Sequence, residues 1–467
     1  MSTSRASAKG SKASFRCSSC GAQPPKWTGR CGGCGEWDTI AEVAPALAVG
    51  VGPSGGLPPA ALMPITEVAA GEAAPWPTSV GELDRVLGGG IVPGSVVLLG
   101  GEPGVGKSTL LLEVAAKAAA GGRKVVYLTG EESASQVAAR AARIGAAHPG
   151  VKLATVTELG QALAVVAAEA PDLLVVDSIQ TLSSADLDSA PGGVTHVRAV
   201  TAALVAAAKQ GTMACLLVGH VTKDGLVAGP RTLEHLVDAV AMFEGDRHSA
   251  LRLLRCTKNR FGSADEVGCF EMTEDGIHEV IDPSGLFLAG GDPATPGACT
   301  GVMMEGRRPM AVGVQALAVL AVGSNPRRTV SGLESPRTAM LLAVLEARCG
   351  LDLRARDVYV ATVGGIRCQD PATDLAVVLA AASAHFELVA PPGLVAIGEV
   401  GLGGQLRPVK ALARRLEEAS RLGFSQAVIP AGVAPRLGPS GGDLELIEVA
   451  EVHQALRLLQ PTGAIAM

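Results

Sequence analysis

The run Gly101-Glu102-Pro103-Gly104-Val105-Gly106-Lys107-Ser108 narrows the choice of folds more than any other stretch of this 467-residue chain. It fits the spacing G-x-x-x-x-G-K-[ST], and it stands between a short apolar run, Ser95 to Leu99, and a helical pattern from Ser108 to Ala120. In that setting backbone N–H groups and the first helical turn surround an anion, Lys107 reaches the β- and γ-phosphate oxygens, and the Ser108 hydroxyl, with Thr109 beside it, stands where Mg²⁺ is held. The whole segment Gly101 to Thr109 is therefore expected to bind ATP. A strand that feeds a phosphate loop and then a helix also opens an α/β sheet.

The pattern then repeats. Lys124 to Leu128, Leu173 to Val176 and Met213 to Val218 are apolar runs of strand length, separated by Ala-rich helical segments such as Gln161 to Glu169 and His196 to Gln210. Such alternation predicts a parallel sheet with crossover helices. Apolar residues make up 48% of the chain and aromatics only 3%, so Ala, Val, Leu and Ile must fill a core of this kind.

Functional side chains are expected where these strands end, because open α/β sheets bind ligands at their carboxyl edge. Asp177 closes the run Leu173 to Val176 and is placed to hold Mg²⁺. Glu131 and Glu132 follow the strand at Val125 to Leu128, and either can polarise the attacking water, the alternative being that they cap the next helix. His220 ends the run at Val218 and is placed to sense the γ-phosphate, with a Gly-containing loop after it that can reorganise when the phosphate leaves.

Cys17-x2-Cys20-x10-Cys31-x2-Cys34 supplies four thiolates in two knuckles, the donor set of a closed structural Zn²⁺ site. Lys26, Trp27, Arg30 and Trp37 lie around it, and either contact nucleic acid or pack a very small fold. The other six cysteines are scattered and read as buried thiols.

The organisation expected is a zinc finger over 15–40, an Ala/Pro/Gly-rich flexible linker over 41–75, an ATPase domain over 76–282 and a second α/β domain over 283–467. In the last, Met310 to Val322 and Val358 to Thr362 read as strands, and Ala339 to Arg348, Ala372 to Ala384 and Ala411 to Arg421 as helices. The net charge of −6 leaves no global basic footprint, so any contact with nucleic acid must come from local cations. With no run of about 20 apolar residues and no hydrophobic signal core at the N-terminus, a cytoplasmic location is expected.

Together these motifs closely resemble the bacterial RadA (Sms) family of RecA-like DNA repair ATPases, over nearly the whole chain. The resemblance includes Arg85-Val86-Leu87-Gly88-Gly89-Gly90-Ile91-Val92-Pro93-Gly94 and, above all, Lys258-Asn259-Arg260-Phe261-Gly262. It implies a RecA-like core with an N-terminal C4 zinc ribbon and a C-terminal domain like the proteolytic domain of Lon. It implies that Lys258 and Arg260 reach a neighbouring subunit's ATP within a homo-oligomeric, hexameric ring. It further implies that loops near Ser184 to His196 and Lys223 to Arg231 hold single-stranded DNA, that branched recombination intermediates are processed, and that a RecA-type recombinase is a partner. Lon-type proteolysis needs a Ser and a Lys, and the matching positions read Ala372 and Ala413, so the domain is expected to assemble rings and touch DNA through Arg307, Arg308, Arg327, Arg328 or Arg337. Asp370-Pro371 there reads as a helix N-cap and first-turn proline. An ATP-dependent protease and a nucleotide-gated scaffold without action on DNA remain the alternatives.

Overall fold

The computed structural model describes residues 14–17, 20, 22, 28–37, 40–43, 64, 74–185, 187, 190, 192–220, 230–245, 251–288, 295–323, 325–436 and 444–461. Lys26, Trp27, most of the linker and Lys223 lie outside the described residues, as do parts of the segment from Ser184 to His196. Among the described residues no helix is long and apolar enough to cross a membrane. The chain divides into two compact units, Met1–Ala69 and Ala70–Met467.

In the first unit, β1 (Ser14–Cys17) pairs antiparallel with β2 (Ile40–Val43), Cys17 lying opposite Ile40. The folded head thus runs three residues past 40, into what reads as linker. The backbone groups of β1 need partners, and the chain leaving the second knuckle supplies them.

The second unit holds two sheets. The first is built from β3 (Val96–Gly101), β4 (Val125–Thr129), β5 (Val151–Thr155), β6 (Leu173–Asp177), β7 (Ala214–His220), β8 (Ala239–Gly245), β9 (Leu251–Asn259), β10 (Val267–Thr273) and β11 (Gly276–Glu279), in the order β11-β10-β9-β8-β3-β7-β6-β4-β5. Around it lie α1 (Gly81–Leu87), α2 (Lys107–Ala120), α3 (Ala134–Arg143), α4 (Leu159–Glu169), α5 (Val194–Gly211) and α6 (Pro230–Leu233). Strands β3 to β8 are parallel, but β9, β10 and β11 add antiparallel to one edge. The sheet is therefore mixed, where the alternating pattern predicts a parallel one. Only residues 246–250 join β8 to β9, too few for the crossover of a dozen or more that parallel pairing requires.

The period-2 geometry of a strand explains why the apolar runs are unbroken. Val97 and Leu99 of β3 enter a core with α1, α2 and α3, while Val96 and Leu98 enter a second core with α4 and α5. Both faces are covered, so every position is buried. The outcome that matters for function is that β3, β4, β6 and β7 end at one edge.

The second sheet follows α7 (Pro283–Leu288). It comprises β12 (Ala298–Glu305), β13 (Arg308–Leu320), β14 (Arg328–Ser331), β15 (Arg356–Thr362), the short β17 (Leu394–Ala396), β20 (Gln426–Pro430) and β21 (Glu445–Val449), in the order β14-β15-β13-β12-β17-β20-β21. Helices α8 (Ser335–Cys349) and α9 (Asp374–Phe386) share a core on one face, and α10 (Leu412–Arg421) packs on the other. Apart from this sheet, the two-residue strands β18 (Glu399–Val400) and β19 (Leu406–Arg407) pair with each other, and β16 (Leu388–Val389) pairs antiparallel with β22 (Gln460–Pro461).

Candidate active site

The phosphate loop takes the shape its glycines permit. Gly101, Gly104 and Gly106 have φ of 153°, 80° and 113°, a region that side chains disfavour. At Gly101 a Cβ would collide with the Phe243 carbonyl, and at Gly106 with Met272 of β10. Gly106 is the N-cap of α2 and offers no side-chain cap, so first-turn N–H groups of that helix remain as donors for an anion. Lys107 is 3% exposed, and its Nζ donates to Gly101 O at 2.8 Å and Glu102 O at 2.9 Å. Burial pushes its pKa down, while the charges of Asp177 and Glu131 act in the opposite direction. An uncapped helix start, a glycine-shaped cradle and a buried ammonium in the field of two carboxylates fit a nucleoside triphosphate with Mg²⁺.

Sheet register brings the other residues to the same edge. His220 lies opposite Gly101 in the β3–β7 ladder, and Asp177 opposite Thr129 at the end of β4. Asp177 is 7% exposed and accepts a hydrogen bond from Tyr127 Oη at 2.6 Å, which leaves its second oxygen for a metal. Ser108, at the start of α2, is the second candidate Mg²⁺ ligand.

Glu131 and Glu132 part company. Glu131 Oε1 accepts from His220 Nε2 at 3.0 Å and from Ser178 Oγ, and these donors, with His220 foremost, hold its pKa down to about 2. Glu132 points away and is ion-paired with Arg140 of α3. Neither caps that helix. Ser133 does, in a reciprocal pair with Gln136. Ser178 and Gln180, whose Nε2 donates to His220 O at 3.4 Å, join the site without any sequence signal beyond lying one and three residues after Asp177. His220 Nδ1 and Gln180 Oε1 are buried there with no hydrogen-bond partner in the protein.

Lys258 and Arg260 lie elsewhere. Lys258 pairs with Val240 in the β8–β9 ladder, whereas Gly101 pairs with Phe243, so they sit three residues apart along β8, about 10 Å at ~3.3 Å per residue. Lys258 Nζ donates to Glu234 O and Val237 O, and Arg260 Nη1 donates to the buried Asp238 carboxylate at 2.8 Å. Neither cation meets the phosphate loop of its own chain.

In the first unit the Sγ atoms of Cys17, Cys20, Cys31 and Cys34 all lie within 4.8 Å of one another, with Cys17 to Cys34 at 3.7 Å and Cys20 to Cys31 at 3.6 Å. A tetrahedron with zinc–sulfur bonds of about 2.3 Å has edges of about 3.8 Å, so the thiols already stand at coordination spacing. Trp37 is 72% exposed, with the Arg30 guanidinium 5.8 Å from its ring centre.

In the second sheet Ala372 is buried, and Asp370 caps the short turn Pro371–Thr373 by accepting from Ala372 N at 3.0 Å, as the Asp-Pro pair implies. Arg415, 3% exposed, bridges to Asp370 at 2.7 Å. Ala413, on α10, offers no amine. Of the arginines considered for DNA, Arg308 is buried and paired with Glu82, so it is withdrawn from that set. Arg337 is spent on both oxygens of Asp374. Arg307 and Arg327 are exposed, and so is Arg328, although it bonds to backbone carbonyls.

A phosphate loop, a strand-end aspartate and a carboxylate–histidine pair on a doubly covered sheet, in a chain with a four-cysteine ribbon, define a zinc-carrying P-loop ATPase. Residues 73–226 match the family model described as AAA domain, and residues 15–42 the one described as Rubredoxin metal binding domain. The chain is 50% identical over 457 residues to the DNA repair protein RadA of Mycolicibacterium smegmatis, covering 96% of this chain and 97% of that protein. Against the DNA repair protein RadA of Pseudomonas aeruginosa the identity is 46% over 450 residues, covering 96% and 99%, and against that of Escherichia coli it is 42% over 456 residues, covering 96% and 98%. The chain belongs to the RadA family of DNA repair proteins. Its cofactors are ATP with Mg²⁺ in the RecA-like core and Zn²⁺ in the ribbon.

Proposed function

We propose that this protein is a DNA-dependent ATPase of recombinational repair, which binds single-stranded DNA in the channel of a hexameric ring and drives branch migration of recombination intermediates in the cytoplasm, alongside a RecA-type recombinase. The observation that carries this reading is the division of the chemistry. Lys107, Glu131, Asp177 and His220 gather at one edge of the sheet, while Lys258 lies about 10 Å back along β8 and Arg260, opposite Asp238, further still. That distance supports a role for the two cations at a neighbour's nucleotide rather than their own.

Lys107 holds the β- and γ-phosphates, and Ser108 and Asp177 would hold Mg²⁺, which when bound would supply charge neutralisation at the phosphate oxygens. Glu131, kept ionised by His220 and Ser178, orients the water that attacks the γ-phosphorus. Glu132 tethers α3 through Arg140 and takes no part in the reaction. His220 exchanges its bond to Glu131 for one to the γ-phosphate, and this exchange is passed to the segment after β7 that grips DNA. Lys258 and Arg260 of the adjacent subunit complete the phosphate site, so hydrolysis is tied to assembly. The ring is assembled through the C-terminal domain, with Arg307, Arg327 and Arg328 as its exposed cations toward DNA.

The test is the ATPase rate of the purified protein with and without a single-stranded oligonucleotide, with Lys107→Ala as control. The reading expects stimulation by DNA that fades steeply with salt, as released counterions require. An unchanged rate and no complex in any nucleotide state would sink it.

A further inference from the structure

The segment Arg85 to Gly94 distinguishes the sequence yet contributes no atom to the phosphate site. The structure lays it directly against Lys258 to Gly262. α1 ends at Gly88, which has φ of 82°, and a Cβ there would stand 3.5 Å from Gly262 Cα and 3.6 Å from Asn259 Nδ2. The two glycines let the backbones approach closely. Asn259 spans the junction with both ends of its amide: Nδ2 donates to Leu87 O at 3.1 Å, and Oδ1 accepts from Phe261 N at 2.9 Å. The first bond satisfies a last-turn carbonyl that the helix leaves open, and the second shapes the turn that carries Lys258 and Arg260.

The other end of α1 is held by the second sheet. Glu82, 3% exposed, pairs with Arg308, 8% exposed, at the start of β13, and its Oε2 also accepts from Cys269 N at 2.8 Å. Arg308 Nη2 donates to Ile281 O at 2.7 Å. The turn between β12 and β13 is seated against the first sheet by Arg307 N, which donates to Asp265 O at 2.8 Å. One short helix therefore has the second sheet bonded to its first turn and the Lys258 segment bonded to its last.

We propose that Asn259 is a positioning residue for Lys258 and Arg260, and that α1 is the strut through which the second sheet sets their posture. This rests on the reading that those cations serve a neighbour's nucleotide. Asparagine is needed because aspartate would keep the bond to Phe261 N but set a carboxylate against the Leu87 carbonyl. A contact of this kind modulates coupling rather than nucleotide binding, which the phosphate loop governs.

The experiment measures kcat and KM for ATP of the full-length protein with and without single-stranded oligonucleotide, together with the thermal midpoint. Asn259→Asp is expected to lower the ratio of stimulated to basal kcat about tenfold, with KM for ATP and the midpoint kept. The paired replacement Glu82→Met/Arg308→Met, which removes a buried ion pair without leaving a lone charge, is expected to lower the same ratio. Because both act along one strut, the triple variant should be no worse than Asn259→Asp alone. If the triple shows the product of the separate losses, the strut is refuted. If Asn259→Asp raises KM or lowers the midpoint along with basal turnover, its role is general support of the fold and the proposal fails. Lys258→Ala separates the layers: if it loses stimulation while Asn259→Asp does not, this inference alone falls, and if Lys258→Ala is stimulated normally, the reading beneath it falls too.

Discussion

Replacing the two adjacent glutamates one at a time asks the site its most direct question. Glu131→Gln keeps the size of the side chain but removes the charge that His220 and Ser178 stabilise. A positioned carboxylate that activates water contributes about 10² to 10³ in rate, which is roughly 3–4 kcal/mol of barrier, so kcat should fall by that factor. KM for ATP should stay within about twofold, because Lys107 and the glycine cradle are untouched. Glu132→Gln removes only an ion pair with Arg140, whose side chains are 31% and 24% exposed, so its effect is confined to about 1 kcal/mol or less of stability with kcat preserved. A pH profile adds a second arm. Glu131 has its folded pKa depressed from 4.5 to about 2, so the stability it contributes is present above about pH 4.5 and is lost as pH falls through 2. An acid limb in turnover above pH 5 therefore belongs to a group other than Glu131, and it should persist in Ser178→Ala. Steady-state turnover by phosphate release, with thermal unfolding alongside, measures all of this. Should Glu132→Gln abolish turnover while Glu131→Gln retains it, the assignment is wrong.

Further outcomes follow from other parts of the molecule. Cys20→Ser should reduce bound zinc from one per chain toward none by elemental analysis, and abolish the structure of the ribbon while basal ATP hydrolysis by the second unit continues. Arg415→Met should cost about 3 kcal/mol in denaturant titration, since it strips a buried guanidinium from Asp370 and Val302 O; a loss under 1 kcal/mol would mean the pair is idle. Casein incubated with ATP should remain intact, because the positions at Ala372 and Ala413 carry neither nucleophile nor base.

Much of this was legible residue by residue. The phosphate loop, the cysteine knuckles and the strand ending at Asp177 are read from spacing and period, since each works through contiguous backbone or through a turn of a few residues. The mixed sheet was not, because nothing in β9 to β11 marks their direction apart from the shortness of a connection. Nor was the separation of Glu131 from Glu132. The two lie in the bend after β4, where no strand period sets side-chain direction, and which of them meets His220 depends on where β7 lies.

Local sequence thus suffices for the chemistry that a short segment performs alone: cradling phosphate, knuckling around zinc, burying both faces of a strand. Long-range packing settles which charges are available to act. It hides Arg308 against Glu82, 226 residues away, and ties Asn259 to a helix end 172 residues earlier. No periodicity encodes such partners, because the free energy of a buried charge or an open carbonyl is decided by what the finished fold brings within about 3 Å of it.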